Sequence, residues 1–351
     1  MDKKKKIENN KNVNNSLILN IYLGSYEGIL YVFFINIITK NIENKFSFST
    51  SQNAIRTIYH HNKTLFVSGT DEIIHIYDIY NKKSEGDLVT YSGTINDIKI
   101  CKNYLIAGGD ESTIGLWRMS DFNNIINMKG HKSSINSIDI QENGAFCVSC
   151  GRDKNIIIFD LMTGIKIGKF ELDYVCNKVE LFHKSKYLLC VFDLHIFIFD
   201  LLKNSVNKEE NIIQKEKFSK KIINAFFIKN KIIIFFVDGE INVFNINFDE
   251  KKEFIPFNKE NVVKLNIEKP KKENENDLEI RVKLISITKS EKIKILTIVF
   301  SNNDVYLYDL NKIIKYEKNT EKKIIKKYTS ISNKILGKIT AIDIEFSNKK
   351  I

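Results

Sequence analysis

An internal repeat restricts the possible folds of this chain more than any other feature of its sequence. In each repeat, a turn of small residues and an acid precedes a short β-branched strand that ends in an aromatic and a polar residue. The endings are Tyr77-Asp78, Trp117-Arg118, Phe159-Asp160, Phe199-Asp200, Phe244-Asn245 and Tyr308-Asp309, and their second residues lie 40, 42, 40, 45 and 64 positions apart. The first four steps match the roughly 40–45 residues of a four-stranded propeller blade. Because helical spacing does not persist over any long window, the sequence predicts an all-β propeller.

The number of blades and the way the ring closes follow from the two ends of the repeat. The segment Gly28–Ile35 lies about one period before Tyr77 and supplies a seventh strand of the same kind. With Leu17–Leu23 it forms a blade that the chain enters part-way, while Lys338–Phe346 resembles the first strand of a blade. We therefore predict a seven-bladed β-propeller in which the C-terminal strand pairs with the N-terminal strand. Such closure removes the exposed sheet edges that promote aggregation.

Composition divides the remainder of the chain into one domain and three irregular stretches. Residues 17–351 are predicted to form a single propeller, and the basic, Asn-rich residues 1–16 to be disordered. The long step before Tyr308 contains both prolines of the chain, Pro256 and Pro270, and many charges, so 249–278 is predicted to be a charged loop insertion. A second, Lys-rich loop is expected at 312–327.

The net charge of +11 raises the question of a polyanionic partner. Arginine occurs only at positions 56, 118, 152 and 281, and lysine, a hydrated point charge, supplies every other strong base. This indicates diffuse attraction to phosphate rather than sequence-specific readout, although A/T-rich codons alone would also enrich lysine. The longest apolar run, Ile29–Ile38, is too short to span a membrane. Five cysteines in apolar runs indicate reduced thiols in an intracellular compartment.

One stretch identifies the repeat type. Gly130-His131 is the dipeptide that opens a WD repeat, and Phe159-Asp160 lies where Trp-Asp would stand. The segment VSGTDEIIHIYDIYNKKSEGDLVTYSGTINDIKI and its continuations AGGDESTIGLWRM, NMKGHKSSINSI and FDLMTGIKIGKF resemble the PAK-interacting protein (Mak-eleven) family. The similarity is dense over 65–170. It implies a seven-bladed WD-repeat propeller that acts in the nucleolus as an assembly factor of the large ribosomal subunit. Animal members are also described as restraining a p21-activated kinase.

The candidate site residues are interpreted as structural. WD repeats often contain a hydrogen-bonded tetrad, and here His131, Ser149 and Asp153 match three of its positions. Phe159 occupies the fourth position and has no N–H, so the network is expected to be partial. Asp71 and Glu111 recur at the turn position of Asp153, where a short acceptor bonds the backbone two residues on.

No set of residues in the sequence has the spacing of a catalytic, cofactor or metal site. Cys147-x-x-Cys150 lacks a second ligand pair and is predicted to fill small-residue positions of a blade. His60-His61 is expected in a loop without partners. Lys3, Lys4, Lys5 and Lys6 form a run that could serve nuclear import or RNA contact, although lysine is common enough here for such a run to arise by chance.

These observations and the resemblance lead to a non-catalytic protein-interaction scaffold. The expected role is large-subunit assembly and pre-rRNA processing in the nucleus and nucleolus. The propeller would be a monomer within a larger complex, contacting protein assembly factors and adding non-specific contact with the rRNA backbone. Two alternatives stay open: a scaffold that binds and restrains a protein kinase, and an unrelated WD-repeat adaptor. No membrane, cofactor or metal partner is expected.

Overall fold

The computed structural model describes most of the chain. The described residues are 18–50, 53–90, 93–203, 208–249, 253–257, 262–271, 279–288, 294–315, 323–331, 335 and 337–347. The predicted disordered segment 1–16, with Lys3, Lys4, Lys5 and Lys6, lies outside them. No helix in the described part is long and apolar enough to cross a membrane.

The described strands build seven antiparallel sheets arranged in a ring, as predicted. Within each sheet, or blade, the strands are named first to fourth in their pairing order. The first strands of neighbouring blades contact each other around the complete ring, so they line its axis. Blade 2 consists of Ile55–His61, Thr64–Gly69, Ile73–Asp78 and Lys83–Val89. Blade 3 consists of Ile95–Cys101, Tyr104–Gly109, Thr113–Arg118 and Asn124–Lys129. Blade 4 consists of Ile135–Ile140, Phe146–Gly151, Asn155–Asp160 and Lys166–Glu171.

The later blades carry additions to this plan. Blade 5 consists of Lys178–Phe182, Tyr187–Val191, His195–Asp200 and Ile212–Lys217, with the helix Lys208–Asn211 before its fourth strand. Blade 6 consists of Ile222–Ile228, Lys231–Phe236, Glu240–Asn245 and Val263–Ile267, and a small hairpin pairs Asn247–Phe248 with Phe254–Ile255. Blade 7 consists of Val282–Ile287, Ile295–Phe300, Val305–Asp309 and Thr329–Ile331.

Blade 1 closes the ring. Its second, third and fourth strands are Ile18–Ser25, Ile29–Asn36 and Ile42–Ser49, and its first strand is the C-terminal Ile339–Ser347. The two terminal strands pair antiparallel, with Ile21 opposite Ile344. The predicted mode of closure is therefore confirmed.

The structure explains why an aromatic-polar pair ends the third strand of a blade. The aromatic residue is buried between blades, as for Phe159 and Phe199, both 0% exposed. The following aspartate accepts hydrogen bonds from the next turn: Asp160 Oδ1 bonds the backbone N–H groups of Met162 and Thr163 at 2.9 and 2.8 Å. Such side-chain acceptors stabilise tight turns, so each ending combines a core contact with a turn signal.

The core lies between adjacent blades. One apolar cluster joins Val148 and Ile156 of blade 4 to Leu188 and Phe197 of blade 5, and similar clusters join the other neighbours. Full burial of a large apolar side chain contributes about 1.5–3 kcal/mol. Each blade is therefore held by its neighbours as well as by its own hydrogen bonds.

The two predicted loop regions are not loop throughout. Within 249–278, Val263–Ile267 is the fourth strand of blade 6, and the hairpin strand Phe254–Ile255 also falls in this range. The prolines and charges on either side conceal the alternation of buried and exposed residues in this strand. Within 312–327, the helix Leu310–Lys315 buries Leu310, Ile313 and Ile314. The strand Lys323–Ile325 then pairs in parallel with Val263–Ile267.

Candidate functional site

The predicted residues of blade 4 meet in one hydrogen-bonded network. His131 precedes the first strand of the blade, Ser149 lies in its second strand, and Asp153 lies in the turn to the third. His131 Nδ1 is 3.0 Å from Asp153 Oδ1, and His131 Nε2 is 2.8 Å from Ser149 Oγ. Because a carboxylate only accepts, Nδ1 carries the proton and Nε2 accepts from the hydroxyl. Phe159 is fully buried beside this network and contributes packing alone.

The electrostatics of the network favour a neutral imidazole. Burial lowers the pKa of His131, against the opposing effect of Asp153. Burial alone would raise the pKa of Asp153, but hydrogen bonds from Asn155, the Lys132 backbone N–H and His131 lower it. The pair therefore consists of an ionised acid and an uncharged histidine at neutral pH.

A serine, a histidine and an aspartate bonded in this order have the connectivity of a hydrolase triad. Their accessibility contradicts that chemistry. Ser149 is 0% exposed, and so is the side chain of His131. A nucleophile must reach its substrate, and this hydroxyl is enclosed between packed strands. The arrangement fixes the turn at Asp153 to the first strand of the same blade.

Blade 2 contains a second histidine network that the sequence reasoning missed. His75 lies between two carboxylates: its Nε2 is 2.7 Å from Asp71 Oδ2, and its Nδ1 is 2.7 Å from Asp87 Oδ1. Burial opposes protonation, but the two acids outweigh it and raise the pKa of His75. His75 and Asp87 are register partners in adjacent strands. A cross-strand pairing argument could have found them.

Glu111, at the equivalent turn of blade 3, does not take part in a comparable network within the described chain. Its side chain is exposed, and its backbone carbonyl, not its carboxylate, accepts a 3.3 Å hydrogen bond from Thr113 Oγ1. At this turn the side-chain hydrogen bond is made by the preceding residue: Asp110 Oδ1 accepts from Asn96 Nδ2 at 3.0 Å.

Carboxylates on the first strands connect neighbouring blades, and no pattern in the sequence had indicated this. In four places an acid of one first strand accepts a backbone N–H of the next. The pairs are Asp343 with His60 N at 2.7 Å, Asp97 with Ile138 N at 2.9 Å, Asp139 with Leu181 N at 2.6 Å, and Glu180 with Phe227 N at 3.0 Å. Burial raises the pKa of Asp139 to about 6. These bonds rigidify the inner wall of the ring.

His60 has partners, so the expectation of an isolated loop pair was wrong. It lies near the end of the first strand of blade 2, and its ring stacks on that of Tyr22 with centroids 5.5 Å apart. Its Nε2 lies 2.9 Å from Glu345 Oε2. The contact joins blade 2 to both terminal strands, because Tyr22 and Glu345 belong to the pair that closes blade 1.

The five cysteines are free thiols, and all of them except the partly buried Cys101 lie in the core. Cys147 packs between blades 3 and 4, whereas Cys150 packs between blades 4 and 5. The two side chains therefore point to opposite faces of one sheet and cannot share a ligand. Burial raises the pKa of Cys147 to about 12. Among the described residues, no group of three or more His, Cys, Asp or Glu side chains is arranged to hold a metal ion.

The surface offers places for contact. The upper face is defined here by the loops that enter each blade and those that join its second and third strands. On it, Tyr174, Val175 and Leu194 are exposed by 43%, 37% and 37%, and Tyr174 stacks on His195 with centroids 4.5 Å apart. Exposed apolar side chains that cluster in this way are typical of protein-binding surfaces.

Comparison with known proteins agrees with this architecture. A family model described as "WD domain, G-beta repeat" matches residues 122–160. A "p21-activated protein kinase-interacting protein 1-like" protein of Danio rerio is 24% identical over 205 residues, 57% of this chain and 53% of that protein. Its Gallus gallus counterpart is 30% identical over 105 residues, 29% of this chain and 28% of that protein. "Protein MAK11" of Saccharomyces cerevisiae is 23% identical over 153 residues, 37% of each.

The chain thus spans about half the length of the first of these relatives and less of the others. The predicted resemblance is confirmed, and the chain is a seven-bladed β-propeller in which residues 122–160 match a WD repeat.

Proposed function

We propose that this WD-repeat propeller is a non-catalytic scaffold that acts in assembly of the large ribosomal subunit and in pre-rRNA processing, in the nucleus and nucleolus. The observation that carries the proposal is the similarity to the kinase-interacting 1-like proteins and to Protein MAK11, because the resemblance to that family implies this role. The proposal concerns the whole protein, although the similar regions cover only part of each relative.

The geometry supports binding rather than chemistry. The Ser–His–Asp network of blade 4 is buried, and the acids of the first strands accept backbone N–H groups. The upper face, in contrast, presents Tyr174, Val175 and Leu194 on loops held by a closed ring. Aromatic and aliphatic side chains in rigid positions are suited to anchor a protein partner. We assign this patch as the contact for a protein assembly factor.

The test is affinity purification of the tagged full chain, followed by sedimentation of the associated material through a sucrose gradient. Assembly function predicts that the chain co-migrates with large-subunit precursors. A double variant, Tyr174→Ser with Leu194→Ser, should remove this association while leaving the fold intact. The control is Met162→Ser with Ile165→Ser, which removes two still more exposed apolar side chains, 78% and 63%, from the loop between the third and fourth strands of blade 4. If the chain stays in light fractions without pre-ribosomal RNA, the proposal fails.

A second candidate function is supported by the names of two of the relatives, which are called kinase-interacting proteins. In that case the partner is a kinase domain and the effect of binding is inhibitory. A tagged chain that is cytosolic or cortical, and that brings down a kinase with lowered activity, would favour this function. A nucleolar signal would favour the first.

A further inference from the structure

A cavity of about 250 Å³ opens between blades 5 and 6. It lies next to the upper-face patch, because Phe218 N donates a hydrogen bond to Leu194 O at 2.8 Å. One wall comes from the end of the fourth strand of blade 5 and the link that follows it. The other comes from the second, third and fourth strands of blade 6. Three kinds of side chain that recognise ligands line it: phenylalanine rings, lysines and a buried amide. None of them takes part in the networks described above.

The apolar wall of the cavity is aromatic. Phe236 and Phe244 are each 2% exposed, and Phe218 is partly buried above them. The ring of Phe218 meets the other two edge-on, with centroid distances of 5.5 and 6.2 Å. The two inner rings hold Phe218 in place in the lining of the cavity. A planar ligand can therefore lie against a ring that is already oriented.

The rim of the cavity is cationic. Lys217, Lys220 and Lys264 line it, against one acid, Glu240. Lys220 Nζ is 2.5 Å from both Asp238 Oδ2 and Glu240 Oε2, so its charge is balanced within the protein. Lys217 ends the fourth strand of blade 5 and Lys264 lies in the fourth strand of blade 6; both residues are exposed and add positive charge to the rim.

The buried amide belongs to Asn242, in the third strand of blade 6. The residue is 5% exposed, and its Oδ1 has no hydrogen-bond partner among the described residues. Lys264 is its register partner in the neighbouring strand, so amide and cation share one wall. A buried carbonyl oxygen without a donor is unfavourable, and a ligand N–H reaching this wall would relieve that cost. Side-chain amides also recognise base edges, adenine in particular, through hydrogen bonds.

We propose that this cavity binds one nucleotide of a single-stranded nucleic acid, with its base against Phe218, a base N–H directed to Asn242 and its phosphate near Lys217 and Lys264. Stacking of bases on aromatic rings beside a basic groove is the general mode of single-strand binding. An acidic peptide fits less well, because carboxylates are best matched by the arginine fork and no arginine lines the cavity. The net charge of +11 on the whole chain also favours a long polyanion. The inference deepens the proposed function by naming a nucleic-acid contact, but it depends only on the cavity.

The experiment measures fluorescence anisotropy of labelled short oligoadenylate and oligouridylate, as RNA and as DNA, with the full chain. We expect Phe218→Leu, which retains an apolar side chain, to weaken binding roughly tenfold through lost stacking. The double variant Lys217→Gln with Lys264→Gln should weaken binding and lower the slope of log affinity against log salt by about 2.

The matched control is Lys83→Gln with Lys166→Gln. It removes the same charge from exposed positions on the fourth strands of blades 2 and 4, and it should change affinity by less than about twofold. Equal effects of the two double variants would show diffuse attraction and overturn the site. Absence of binding to every oligonucleotide, or displacement of the oligonucleotide by an acidic peptide at the same cavity, would also overturn it. RNA binding that exceeds DNA binding would identify RNA as the source of the nucleotide, and the reverse would identify DNA.

Failure of the nucleotide-binding proposal can be distinguished from failure of the proposed assembly function. If the Phe218→Leu chain loses oligonucleotide binding but still sediments with large-subunit precursors, the assembly role stands without the cavity. If the unmodified chain binds oligonucleotides through the cavity but sediments alone, the site stands and the assembly role fails.

Discussion

Replacement of Asp153 tests the structural interpretation of the blade 4 network most sharply. Its carboxylate accepts from His131 Nδ1 at 3.0 Å, from Lys132 N at 2.9 Å and from Asn155 N at 3.1 Å. Asp153→Ala removes all three hydrogen bonds and leaves the donors of His131 and Asn155, both buried, without the carboxylate that accepts from them. Each buried donor left unpaired costs about 1–3 kcal/mol, so we expect a loss of about 4 kcal/mol in the free energy of unfolding.

The corresponding change in melting temperature follows from chain length. A chain of 351 residues has an unfolding entropy of about 0.7 kcal/mol per degree. A loss of about 4 kcal/mol therefore lowers the melting temperature by about 5 °C. Asp153→Asn retains one oxygen acceptor and should lose about half as much.

Differential scanning calorimetry of the three proteins measures this effect. The control is Glu111→Ala, at the equivalent turn of blade 3, where the side chain is exposed; it should change stability by less than about 0.5 kcal/mol. An Asp153→Ala protein as stable as the unmodified chain would refute the reasoning. An equal loss from Glu111→Ala would refute it too, since the cost would then belong to the turn rather than to the network.

Four further predictions concern single residues of the ring. The pKa of His75 is raised in the folded chain. Its stabilising contribution is therefore complete below pH about 6.5 and is lost as pH rises through the folded-state pKa. His75→Gln should lower the free energy of unfolding more at pH about 5 than at pH about 8. The pKa of His131 is lowered, so the unmodified chain loses stability as pH falls below about 6.5, and the cost of His131→Gln should shrink over the same range. Urea unfolding at several pH values checks both, and costs that change in the same direction would contradict the assignment. A Cβ at Gly115 would lie 2.0 Å from Trp117 Cη2. Gly115→Ala should therefore lower the free energy of unfolding by about 1–3 kcal/mol and shift the fluorescence of the single tryptophan. An unchanged emission spectrum would contradict this packing. Ile344 lies opposite Ile21 in the closing pair and is 3% exposed. Ile344→Ala should lower the free energy of unfolding by about 2–5 kcal/mol. Amide exchange in Ile18–Ser25 should then rise above that in blade 4, and uniform exchange would argue against weakened closure.

Features encoded within a single blade were predictable from the sequence. The pair Phe159-Asp160 places a buried ring beside a turn acceptor, and both properties are local. The number of residues between Gly130-His131 and Phe159-Asp160 was predictable for the same reason, because both pairs belong to one repeat. Ring closure was also predictable, because the terminal segments supply the complementary parts of one blade.

Features that depend on contacts between strands or blades were not predictable. The His75–Asp87 bond requires the register of two strands, and the bond from Leu181 N to Asp139 requires the position of the next blade. Val263–Ile267 was hidden because the charges and prolines around it outweigh a short alternation. Asn242 and Lys264 are neighbours in space only because that strand completes blade 6, so the cavity was not visible in the sequence either.

Depletion of the protein, with a pulse-chase of newly made ribosomal RNA, tests the proposed function most directly. The account predicts that large-subunit rRNA precursors accumulate and mature large-subunit rRNA falls, while small-subunit rRNA matures normally. Expression of the full chain should restore maturation, and the Tyr174→Ser, Leu194→Ser chain should not. Normal maturation of both rRNAs after depletion, together with raised activity of a kinase that binds the chain, would contradict the assembly role.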